Sequence, residues 1–158
     1  MYTDLAFIPA TELAVAIRTK VVSSVEVTEQ FFRRIDRLDP QLNSYLALRE
    51  DDAMADARTA DEAVQKGDAL GLLHGIPISI KDLEVTKNLT TTMGSALFRN
   101  RVPDVDSIVV ERVKAAGAIV LGKTNTPEFG QSGTTENELG APCRNPWNTE
   151  RTAGGSSG

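Results

Sequence analysis

Gly75-Ile76-Pro77-Ile78-Ser79-Ile80-Lys81-Asp82 sets the reading of the fold. Isoleucines at alternate positions make a β-rich run, which predicts a strand that opens near Ile76 and ends at Lys81-Asp82. Pro77 cannot donate to a sheet ladder, so it belongs at the strand entrance or on an edge. Lys81 is thereby placed at a strand end. Further along, Asp106 is positioned to cap a helix that carries Ile108, Val109, Val113 and Ala116 and closes at Gly117, and residues 118–121 read as a buried strand. That is a helix-to-strand unit.

Upstream of the isoleucine run the chain reads as helices. Thr11 precedes Leu13, Ala14, Ala16 and Ile17 at helical spacing, and a second helix opens at Ser23, with Glu26 at the capping-box distance. In that helix Val27, Phe31, Ile35 and Leu38 form one apolar stripe, while Arg33, Arg34 and Arg37 lie away from it. Pro40 is expected to stop it. Tyr45–Leu48 reads as a short strand, and residues 51–66 as a helix with Ala53, Ala57, Ala60 and Val64 on one side, ending at Gly67. From Gly122 onward there is no periodicity. About 35 residues of that kind is longer than an ordinary connection and implies a functional loop or an incomplete fold.

Composition narrows the function classes. A chain of 158 residues, 41% hydrophobic and 25% charged, can bury an ordinary core, which excludes disorder. With 17 basic and 22 acidic side chains, the net charge is -5 and no basic stripe is present, so nucleic-acid binding is not expected. The one cysteine, Cys143, has no internal disulfide partner, and one His with one Cys does not make a four-ligand zinc site. A cytoplasmic protein without metal or cofactor is the expectation. No apolar run is long enough to span a bilayer, and Met1-Tyr2-Thr3-Asp4 does not open a secretory leader, so neither membrane insertion nor export is expected.

The residues suited to chemistry are Lys81, at its strand end, and the serines of Gly154-Gly155-Ser156-Ser157-Gly158. A lysine acts as a base only when neutral, which calls for burial or nearby donors, and the apolar flank of the strand offers burial. Serines beside paired glycines can relay a proton between a lysine and a nucleophile. Spacing alone leaves open a solvated lysine beside Asp82 and a flexible Gly/Ser loop. His74 is expected to be a structural hydrogen-bonder, Cys143 to pack, Trp147 to anchor the long loop by burial, and Glu136 and Glu138 to be solvated.

Four ordered motifs carry a resemblance. Gly75-Ile76-Pro77 through Lys81-Asp82, the segment Gly122-Lys123-Thr124-Asn125-Thr126-Pro127-Glu128-Phe129, Arg144-Asn145-Pro146-Trp147-Asn148, and the terminal Gly154-Gly155-Ser156-Ser157-Gly158 together resemble the amidase signature family. The resemblance implies an α/β fold, here N-terminal helices plus part of a mixed sheet of an α/β/α layered architecture. Residues 1–158 would be the N-terminal part of a single, incomplete domain of it. It also implies cleavage of a carboxamide by a Ser-Ser-Lys triad. Lys81 matches the family's base and Ser156 the bridging serine, whose preceding peptide bond is cis. Ser157 would support the lysine by hydrogen bonding, and Gly130, Gln131 and Ser132 match the loop that lines the acyl pocket. The family's nucleophilic serine lies further along, in a glycine-rich turn that also forms the oxyanion hole, so this chain alone is expected to be inactive.

The leading expectation is an amidase acting on a small-molecule amide, releasing an acid and ammonia or an amine, and homodimerisation of the full-length protein is compatible with it. One alternative is the glutamine-hydrolysing component of a glutamyl-tRNA(Gln) amidotransferase, its A subunit, ranked lower because residues 125–129 and Lys81-Asp82-Leu83 look more like general amidases. The other is a non-catalytic fragment. A phosphate-binding nest at residues 154–158 fails for want of the following Lys-Ser/Thr and helix.

Overall fold

The computed structural model describes residues 4–158. Its helices are α1 (Ala10–Arg18), α2 (Ser24–Leu42), α3 (Glu50–Lys66) and α4 (Ile108–Ala115). Its strands are β1 (Tyr45–Leu48), β2 (Pro77–Lys81), β3 (Ile119–Thr124), β4 (Arg144–Asn145) and β5 (Asn148–Thr152). The described residues group into two compact units: one holds residues 4–35, Arg49–Ile78 and Arg112–Leu121, and the other holds Asp36–Leu48, Ser79–Glu111 and Gly122–Gly158.

The first unit is built on helix caps and a small apolar core. Helix α1 starts at Ala10 behind Pro9, one residue before Thr11, and has no side-chain cap; proline's fixed φ suits the entrance of a helix. At the start of α2 the capping box forms as the spacing predicts: Ser23 N–H donates to Glu26 Oε2 at 2.8 Å and Glu26 N–H to Ser23 Oγ at 3.0 Å. The Ser23 N–H bond foremost, with the Ser23 hydroxyl donating to the same oxygen at 2.9 Å, holds the Glu26 carboxyl below its ordinary range. A second cap comes from α3, where Asp61 accepts from Ser24 N–H at 2.6 Å and Val25 N–H at 3.2 Å. Phe32 and Thr28 are buried beside Val27 and Ile35, so the inward face of α2 is wider than the stripe read from sequence. Leu5, Leu13, Ile17, Val27 and Ile76 pack into one cluster. Ala53, Ala57 and Ala60 bury the inner side of α3, which closes at Gly67 in the left-handed region.

Pro40 does not stop α2. It stands inside the helix, which runs on to Leu42. A proline this near the end removes one bond from the last turns, and Asn43, at a φ of 53°, then turns the chain out of the helix. Helix α4 buries Val110, whereas Ile108 and Val109 are exposed, which corrects the stripe expected there.

In the second unit, β1 pairs antiparallel with β3, with Tyr45 opposite Thr124, Ala47 opposite Lys123 and Leu48 opposite Gly122. The sheet order is β1-β3-β2. Asp82 N–H donates to Thr124 C=O at 3.0 Å, and in the first unit Ile119 N–H donates to Ile76 C=O at 2.9 Å. Partners that advance together in this way belong to a parallel pair, so the sheet is mixed. Strand β3 outruns the expected 118–121, continuing through Thr124 with residues 119–123 buried. Strands β4 and β5 form a hairpin that periodicity does not show. Trp147, at its turn, is 94% exposed and is not the buried anchor expected. The neighbouring Asn145 side chain takes the Trp147 N–H at 2.9 Å, a side-chain-to-backbone turn that points the residue outward.

Candidate active site

Strand β2 delivers Lys81 at its last position, and its Nζ donates to Ser156 Oγ at 2.7 Å across 75 residues of sequence. Both side chains are partly buried. The Gly155–Ser156 peptide bond is cis. Thr135 Oγ1 donates to Gly154 C=O at 2.8 Å and ties down the glycine-serine segment just before Ser156. The loop after β3 closes over the same place. Its Phe129 N–H donates to Met93 C=O at 2.8 Å, and Gly130 N–H to Pro127 C=O at 2.9 Å. A Cβ at Gly130 would sit 2.7 Å from Leu83 and 3.8 Å from Ser156 Oγ, so this glycine's bare backbone faces the lysine-serine pair. Gln131 and Ser132 are exposed, and Ser132 Oγ is engaged with Thr134 Oγ1 at 3.1 Å. Ser157 is exposed. The hydrogen bond to the lysine is made by Ser156.

Directly behind Lys81 lies a polar cluster that the sequence motifs do not single out. Asp82 and Lys123 are both fully buried, with Lys123 Nζ 3.7 Å from Asp82 Oδ1. Lys123 donates to Thr86 Oγ1 at 2.9 Å, to Thr91 Oγ1 at 3.2 Å and to Glu84 C=O. Burial pushes the Asp82 carboxyl up, against the hydrogen bonds from Thr92 and the charge of Lys123. The same burial pulls Lys123 down to about 8, opposed by the charges of Asp82 and Glu84. Both residues fall inside the family-like motifs, but nothing local in the sequence says that a lysine in a strand will be buried.

The remaining candidates are structural. His74 is buried in the first unit, its Nε2 paired with Ala60 C=O at 2.9 Å. Cys143 is buried in the second, and burial raises its thiol pKa, which disfavours the reactive thiolate. Glu136 and Glu138 are exposed. Among the described residues no group of three or more His, Cys, Asp or Glu is placed to hold a metal ion, and no helix is long and apolar enough to cross a membrane.

Comparison with known proteins places the chain in a family. The chain is 46% identical over 147 residues to the A subunit of the glutamyl-tRNA(Gln) amidotransferase from Methylococcus capsulatus, covering 93% of itself and 30% of that protein. It superposes on a bacterial aryl acylamidase of the amidase signature enzymes with a TM-score of 0.90 at 30% identity, covering 96% of itself and 32% of that chain. On the peptide amidase of Stenotrophomonas maltophilia the TM-score is 0.88 at 31% identity, over 96% and 32%. The chain thus spans about a third of the length of these relatives. The Amidase family model matches residues 26–158, from the first turn of α2 through Gly158, and the chain belongs to the amidase signature family.

Proposed function

We propose that the protein hydrolyses the C–N bond of a small-molecule carboxamide, with residues 1–158 as the N-terminal part of a single amidase domain acting in the cytoplasm. The observation that supports this most directly is the 2.7 Å hydrogen bond from Lys81 to Ser156. In this reading Lys81 is the base in its neutral form. Ser156 passes a proton from the attacking serine, which lies outside residues 1–158, to the lysine amine, and later returns it to the departing nitrogen. Attack of the serine oxygen on the carbonyl carbon gives an acyl-enzyme with loss of the amine or ammonia, and water then releases the acid. Ser157 has a supporting part, and Gly130, Gln131 and Ser132 line the acyl side. Residues 1–158 alone would not turn over an amide, and the chemistry is the same whether the full-length protein is a monomer or a homodimer.

A second reading, glutaminase action within a tRNA-dependent amidotransferase, is favoured by the 46% identity to the Methylococcus protein, higher than the 30–31% to the two hydrolases. Ammonia release from a panel of primary amides and from L-glutamine, measured on the full-length protein alone and with candidate amidotransferase partners, tests both. Turnover of simple amides without a partner supports the first; glutamine-specific release that a partner enhances supports the second. No release from any amide, with or without partners, overturns both.

A further inference from the structure

Lys81 is useful as a base only if its amine stays within hydrogen-bond reach of Ser156, yet a lysine carries four rotatable bonds and sits at the last position of a strand. Its main chain is consequently what must be fixed. Residue 82 is held at every polar group but one carboxylate oxygen. Asp82 N–H donates to Thr124 C=O at 3.0 Å, and Asp82 C=O accepts from Met93 N–H at 3.1 Å. Its Oδ2 accepts from Thr92 N–H at 3.0 Å and from the Thr92 hydroxyl. Its Oδ1 has no hydrogen-bond partner and faces Lys123 at 3.7 Å. Lys123 in turn spends its three donors on Glu84 C=O, Thr86 and Thr91. Lys81 C=O accepts from Glu84 N–H at 2.9 Å, so the residue whose carbonyl binds Lys123 also binds the backbone of Lys81.

The geometry points to the buried Asp82–Lys123 pair as a positioning clamp for Lys81. Lys123 fastens the turn after β2 to β3, Asp82 fastens it to Thr92, and together they fix the strand end from which Lys81 reaches Ser156. This rests on the reading of Lys81 as base. Two features separate the clamp from ordinary core packing. A buried ion pair is a poor stabiliser compared with apolar residues of the same volume, so stability alone does not account for one placed here. Its hydrogen bonds also converge on residues 84, 86, 91 and 92, in the segment that follows the lysine. Since displacing a reacting group by about 1 Å can cost on the order of 10²-fold in rate, a clamp of this kind is felt in kcat.

The test uses the full-length protein and two substrates: the amide that it turns over best, and 4-nitrophenyl acetate. Nitrophenolate leaves without being protonated, whereas an amide nitrogen does not, so misplacing the proton relay slows the amide more than the ester. A merely misfolded fraction lowers both equally. Asp82→Asn and Lys123→Met are expected to lower amide kcat about 10²-fold with KM little changed, and to lower the amide-to-ester ratio about tenfold. Lys81→Ala, run in parallel, should depress the same ratio. Thr92→Val and Thr91→Val remove one hydroxyl each and leave the charges paired; they serve if the charge variants do not fold, and their expected ratio falls about threefold or more. An unchanged ratio in the folded variants overturns the clamp while leaving the Lys81 reading intact, provided that Lys81→Ala has lost amide turnover. Full amide turnover by Lys81→Ala overturns both.

Discussion

Lys81 Nζ donates to Ser156 Oγ at 2.7 Å, joining a strand end to a glycine-flanked loop. The partnership separates two roles for the lysine that a single structure holds together, a neutral proton acceptor and a fixed positive charge. Arginine keeps the charge but does not deprotonate at working pH. Lys81→Arg and Lys81→Ala in the full-length protein are therefore both expected to lose at least 10²-fold in kcat, about the contribution of a positioned acid–base group. Near-normal turnover by Lys81→Arg, measured as ammonia release, would show that the charge alone suffices.

Gly122 offers a sharper test of the sheet. It sits opposite Leu48 in the β1–β3 ladder, and a Cβ there would fall 2.2 Å from Ala47 C=O, a backbone atom that has no rotamer to yield. Gly122→Ala should destabilise the protein by about 2 kcal/mol or more through forced separation of the two strands. Denaturant unfolding monitored by circular dichroism measures it, and a loss under about 0.5 kcal/mol would mean that β1 does not pair here as described.

How much of this is legible in the sequence follows from how local each cause is. The alternation from Ile76 to Ile80, the Ser23–Glu26 capping box and the Gly67 stop depend on neighbours within a few residues, and all three stand in the structure. Pro40 misleads because its effect depends on how much helix remains after it, which is set by Asn43 and not by the proline. Lys123 reads as loop because its partners come from Asp82, Glu84, Thr86 and Thr91, more than thirty residues away, and only their convergence makes burial of a lysine tolerable. Trp147 shows the opposite error: size and apolarity favour burial, but the hairpin turn decides where the side chain points. Spacing leaves Lys81 and Ser156 as an open pairing, and only the family resemblance joins them.

The cap that Asp61 places on α2 joins residues 37 positions apart on two helices and is testable apart from any chemistry. Its carboxylate takes two backbone N–H groups at a helix N-terminus, where negative charge is favoured. Asp61→Ala should cost about 1–2 kcal/mol, and Asp61→Asn, which keeps an acceptor but not the charge, should cost less. Ser23→Ala removes the neighbouring capping box, and because both caps serve the same first turn, the double variant should depart from additivity in denaturant melts.

The buried pair behind Lys81 makes the last prediction, and its sign follows from linkage. Lys123 is pulled down to about 8 in the folded protein, chiefly by burial, and returns to its ordinary value near 10.4 on unfolding. Below about pH 7 the lysine is protonated in both states and its contribution does not vary. Between about pH 8 and 10.4 the unfolded chain holds a proton there that the folded protein has given up, so this residue's contribution to stability rises with pH, by at most about 1.4 kcal/mol per unit. Other groups titrate in the same range, so the measurement is a difference: unfolding free energy of the wild-type protein minus that of Lys123→Met, at pH 7, 8, 9 and 10. The difference should rise by only a few tenths of a kcal/mol from pH 7 to 8 and then climb more steeply. A difference that falls across the alkaline range would mean that Asp82 holds the Lys123 proton more firmly than burial repels it, with the lysine pKa raised instead of lowered.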